Sequence, residues 1–104
     1  MADEPAESRE DLLRREYLGQ TARIAWHDLQ THFARGAVVV VAPELDLVEV
    51  AVQLGLDNTA SFQSWIDGGE VAAPTEAQAM AWFEANAEFW AVVAAPWVLI
   101  QDRG

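Results

Sequence analysis

Apolar residues recur along the chain at two spacings, near every third or fourth residue and in unbroken runs, and the switches between them mark the elements. Residues 1–7 are polar and contain Pro5, the composition of a fraying terminus. Ser8, followed three residues later by Asp11, is placed to cap a short helix to Leu18, where Gly19 is expected to interrupt it. Thr21 then caps a second helix ended by Gly36, because Ala22, Ala25, Trp26, Leu29 and Phe33 fall within an arc of about 100°, the width of a core-facing stripe.

After Gly36 the period changes. Residues 37–42 carry four successive valines, and a β-branched run without polar alternation predicts a strand covered on both faces, hence a central one. Pro43 and Glu44 suit the first turn of a helix reaching about Leu56. A shorter helix is expected from Asn58 or Thr59 to Asp67, stopped by Gly68 and Gly69, with a brief extended segment at residues 71–73. Thr75 and Gln78 form a capping-box pattern that opens a helix to about Ala87, with Ala79, Met80, Phe83 and Ala87 inward. Residues 89–94 and 97–101 read as extended segments around Pro96, either a hairpin or one bent strand. The fold class is therefore α+β: residues 19–104 form one small domain in which a sheet of the valine strand and the C-terminal pair packs against about four helices. Residues 1–18 precede it as a variable segment, partly disordered or a short helix.

At 104 residues the chain is large enough for one core and too small for two. Charge narrows the function classes further. Seventeen acids oppose six basic residues, all arginine, for a net charge of -11. Such a surface repels phosphates, which argues against nucleic acid and anionic membrane as partners. The absence of lysine excludes Schiff-base and P-loop lysine chemistry, and the absence of cysteine excludes thiol catalysis, disulfides and cysteine-based metal sites. The acidic start is not a secretory signal, and residues 89–100 are too short an apolar run to span a bilayer, so a cytoplasmic location is expected.

Four stretches carry a resemblance: Thr21-Ala-Arg-Ile-Ala-Trp26, Pro43-Glu-Leu-Asp-Leu-Val-Glu-Val-Ala51, Trp65 with Gly69 and Val71, and Trp90-Ala-Val-Val-Ala-Ala-Pro-Trp-Val-Leu-Ile-Gln101. Over residues 21–101 the chain resembles a family of short, acidic, mostly proteobacterial proteins grouped as a domain of unknown function. The resemblance implies a bacterial cytoplasmic protein and carries over no catalytic residue.

Candidate chemistry is sparse. On a helix opening at Pro43, Asp46, Glu49, Gln53 and Asp57 project within about 80° and form an acidic stripe on an otherwise apolar surface. The stripe is either a solvated face or a site where Asp46 and Glu49 hold a divalent cation or a partner's basic surface. Asp28 and His32 stand four residues apart, with Arg35 beside them, a spacing that fits an oriented histidine or an ordinary surface pair. None of Ser8, Ser61 and Ser64 lies in a nucleophile elbow, and a domain this small leaves little room for a sugar cleft. Of the five tryptophans, Trp26 and Trp65 lie on apolar stripes and are expected in the core, while Trp82 and Trp97, with Ile24, are candidates for an interface. These features favour a non-enzymatic interaction module, possible as a homodimer, that presents Asp46, Glu49 and Asp57 to a basic protein partner. No cofactor is predicted. The alternative is a divalent-metal-dependent binding or catalytic protein using Asp46 and Glu49 with His32 or Asp28. An acidic mimic of nucleic acid is disfavoured because the acids are spread along the chain.

Overall fold

A computed structural model describes residues 8–102. It contains α1 (Arg9–Gln20), β1 (Ala22–Ala25), α2 (Trp26–Ala34), β2 (Val38–Val41), α3 (Leu47–Gly55), α4 (Thr59–Asp67), β3 (Val71–Ala72), α5 (Glu76–Ala85), β4 (Glu88–Ala94) and β5 (Trp97–Gln101). The α+β expectation holds. The strands form one sheet in the order β1-β4-β5-β2-β3, in which β5 runs parallel to β2 and every other pairing is antiparallel. The C-terminal pair is a hairpin, with Ala94 opposite Trp97 and Trp90 opposite Gln101.

Alternation along each strand sends side chains to two cores, one on either face of the sheet. Val39, Val41, Val92 and Leu99 meet α3 on one face, where Tyr17 of α1 and Phe62 and Trp65 of α4 pack alongside. Val38, Ala91, Val98 and Ile100 meet Trp26 and Leu29 of α2 on the other, with Ala79 of α5. The valine strand is covered on both faces, as its composition requires, but β5 occupies the centre and β2 lies between β5 and β3.

Three boundaries differ from the sequence expectation. Residues 22–25 form a strand rather than the start of the second helix, because they pair with β4 from Ala22↔Ala91 to Ala25↔Glu88. Ile24 packs against the core beneath α2, and the helical stripe survives only from Trp26 onward, at Trp26, Leu29 and Phe33. The helix expected at Pro43 starts at Leu47. Gln101, fully buried on β5, donates Nε2 to the carbonyls of Ala42 and Leu45, both at 2.7 Å, and pins residues 42–45 as a turn. Gly19 does not interrupt α1, which runs to Gln20.

Residues 1–7 of the expected N-terminal segment lie outside the described residues; α1 itself packs on α3. Gly55 permits the close approach, since a Cβ there would meet the Tyr17 hydroxyl at 3.1 Å and Leu13 Cδ1 at 3.2 Å. The Thr75–Gln78 capping box is present in both directions. The helix it opens ends at Ala85, with Asn86 in the left-handed conformation. Its buried face also differs. Trp82 turns inward, whereas Met80 and Phe83 are exposed, because among the described residues no further element lies beyond α5 to cover them.

Candidate functional site

The acids of α3 are occupied by the fold. Asp46 is the N-cap, its Oδ1 accepting from the backbone N–H groups of Val48 at 3.0 Å and Glu49 at 3.2 Å. This satisfies donors that the first helical turn leaves without intrahelical partners. Glu49 accepts from Arg14 Nη2 at 2.9 Å and from Gln53 Nε2 at 3.0 Å, and Gln53 in turn accepts from Asn58 Nδ2 at 2.8 Å. Asn58 caps α4 through Ser61 N–H. The polar stripe of α3 is thus a hydrogen-bonded chain linking α1, α3 and α4. Asp57 lies past the end of α3, exposed, with a φ of 58°.

Asp28 and His32 do not pair. His32 Nδ1 lies 2.7 Å from Arg35 Nη2, and arginine has only donors to offer, so Nδ1 accepts. Both residues sit on α2, across the sheet from Asp46 and Glu49, which separates the two halves of the combined metal site. No group of three or more His, Asp or Glu among the described residues is placed to hold a metal ion. No helix among them is long and apolar enough to cross a membrane.

The aromatic residues divide differently from the expectation. Trp26 is 1% exposed and Trp65 half-buried. Trp82, a candidate interface residue, is packed edge-on against Trp26 at 5.1 Å and Phe89 at 4.8 Å between centroids. Ile24 is half-buried against the same cluster, and of the three only Trp97, at the hairpin turn, is exposed, at 37%.

The feature missed by sequence reasoning is a groove between α2 and α5. It encloses about 530 Å³, with Trp26, Gln30, Phe33 and Ala34 on one wall and Glu76, Ala79, Met80 and Phe83 on the other. Each wall is a helical i, i+4, i+7 series, Trp26-Gln30-Phe33 and Glu76-Met80-Phe83. Met80 is 66% exposed and Phe83 48%. A latch holds the walls together. His27 Nε2 lies 2.9 Å from the Phe83 carbonyl, to which it can only donate, its ring packs on Phe83 at 4.8 Å, and its backbone N–H donates to Asn86 Oδ1. The only clue in the sequence was Met80 and Phe83 at apolar positions of α5, and that pattern is the same whether or not another element covers them.

A family of proteins of unknown function, DUF2288, matches residues 12–102. The chain belongs to the DUF2288 family. The same fold occurs in PA1075 from Pseudomonas aeruginosa, determined by NMR in solution, which is 40% identical and superposes with a TM-score of 0.77 over 98% of this chain and 94% of that one. The family resemblance and the small α+β domain read from the sequence are therefore both upheld. No curated protein matches the chain. The DUF2288 match spans both walls of the α2–α5 groove and the ion-paired α1–α3 layer.

Proposed function

We propose that this DUF2288 protein is a non-enzymatic interaction module of the bacterial cytoplasm, and that its docking surface is the α2–α5 groove rather than the acids of α3. The observation that carries the reading is the exposure of Met80 and Phe83 beside the aromatic floor of Trp26 and Phe33. Large apolar side chains grouped around a concavity mark interaction sites, whereas singly scattered ones do not. The occupant we infer is a basic amphipathic helix: apolar anchors at i, i+3, i+4 and i+7 fit a trough between two helices, and Lys or Arg on its flanks complement Glu76 and the net charge of -11. Two copies of the chain would repel one another at this charge, which disfavours self-association through the groove.

The test is titration of the full chain with a synthetic basic amphipathic helix, followed by amide chemical shifts and tryptophan emission. Saturable changes on α2 and α5 are expected, weakening as salt rises and absent in Met80→Glu/Phe83→Glu. Changes centred on Asp46 and Asp57 would return the site to the acids of α3, and a rise in mass without peptide would show a homodimer instead.

A further inference from the structure

The same sheet face carries a second, separate depression between α2 and the C-terminal hairpin. Two adjoining hollows of about 460 and 220 Å³ share His32, Val93 and Val98. Their floor is apolar: Ala22 lies opposite Ala91, Val93 opposite Val98, and Ile24 continues the surface along β1. Val93 is 52% exposed there and adds its side chain to the apolar floor. The charges are also distinctive. Among the described residues no carboxylate lines either hollow, although the chain carries seventeen. Arg35 lines the larger hollow, and the partner shown for its guanidinium is His32 Nδ1 at 2.7 Å. Because that nitrogen accepts, a neutral His32 ring carries its proton on Nε2 and remains a donor. Arg23 lines the smaller hollow but is already committed to Glu88 at 3.2 Å and to the Trp90 ring at 5.2 Å.

We propose that this depression is a binding site for a small monocarboxylate with an apolar tail, of the medium-chain acyl type. The head group pairs with Arg35, with His32 as second donor, and the tail lies over Val93, Val98 and Ile24. A guanidinium recognises carboxylate by parallel N–H donors, and a mostly apolar hollow with a small number of polar groups is the usual form of a small-molecule site. A polyanion fits poorly, since one guanidinium compensates one charge and the field of the chain opposes the rest.

The full chain, isotope-labelled, is titrated with sodium decanoate below its micellar concentration and separately with decanol. Saturable shifts are expected at residues 22–24, 32–37 and 91–98. Affinity for decanol in the wild type, and for decanoate in Arg35→Gln, is expected to be about tenfold weaker, the loss of one charge-assisted contact. Val93→Glu, which places a carboxylate on the floor, is expected to abolish saturation. Both substitutions are at exposed positions, so thermal melts should match the wild type. Non-saturating shifts, equal affinity for decanol and decanoate, an unchanged Arg35→Gln, or shifts centred on Met80 and Phe83 would overturn the proposal.

Discussion

Arg14 of α1 meets Glu49 of α3 along one edge of its guanidinium, with Nη2 2.9 Å and Nε 3.2 Å from Oε1, while Nη2 also donates to Glu10 at 2.8 Å and Nη1 to Asp11 at 3.2 Å. The hydrogen bond to Glu10, and then that to Glu49, hold the guanidinium above its ordinary value. A group raised in this way contributes stability that is complete below its unfolded value and is lost only as pH rises through the folded one. The cation therefore persists across the neutral and alkaline range. Glu49→Ala should release α1 selectively: amide exchange in α1 is expected to accelerate while that of α5 is unchanged, and equal protection in both helices would show that the pair does not hold α1.

Asp46 is expected to act as a cap and nothing more. Asp46→Ala should cost roughly 1 kcal/mol, and about 4–8 °C in the melting midpoint of a domain this size. Asp46→Ser keeps a side-chain acceptor and should recover most of it. Added magnesium, manganese, calcium or zinc should leave all three midpoints unmoved; a metal-dependent rise lost in both variants would restore a ligand role.

Floor and rim of the α2–α5 groove should respond in opposite ways. Trp26 is 1% exposed and touches Phe33, Trp82 and Phe89, so Trp26→Ala should cost about 3–5 kcal/mol. Met80→Ala, at a position 66% exposed, should change stability by less than about 0.5 kcal/mol while weakening the basic helix. Denaturant melts and peptide titrations of the two variants separate stability from binding.

Gln101 holds the turn that delays α3. Gln101→Leu leaves the carbonyls of Ala42 and Leu45 without their side-chain donor and should destabilise by about 1–3 kcal/mol. Its Oε1 has no hydrogen-bond partner among the described residues, which offsets part of the loss. If Gln101→Leu melts like the wild type, the turn is held by residues 42–46 themselves.

Local chemistry alone settled several features of this protein. Thr75 and Gln78 close a capping box within one helical turn, Ser8 and Asn58 accept from N–H groups three residues on, and four valines require cover on both faces of a strand. Each depends on neighbours a few residues away, so it can be read from sequence order. The net charge of -11 and the lack of lysine and cysteine likewise bound the chemistry whatever the fold. Tertiary structure decided what depends on distant partners. Residues 22–25 satisfy a helical period, yet they pair with β4, some 65 residues along the chain, as Arg23 does with Glu88. Asp46, Glu49 and Asp57 looked like one stripe until Gln101 pinned the turn before α3 and Arg14 reached Glu49. The helical period points Met80 and Phe83 inward, yet Trp82 takes the place in the core and they stay exposed, with no described element beyond α5 to cover them. Periodicity specifies that a face is apolar; what covers that face is fixed by the packing of elements remote in sequence.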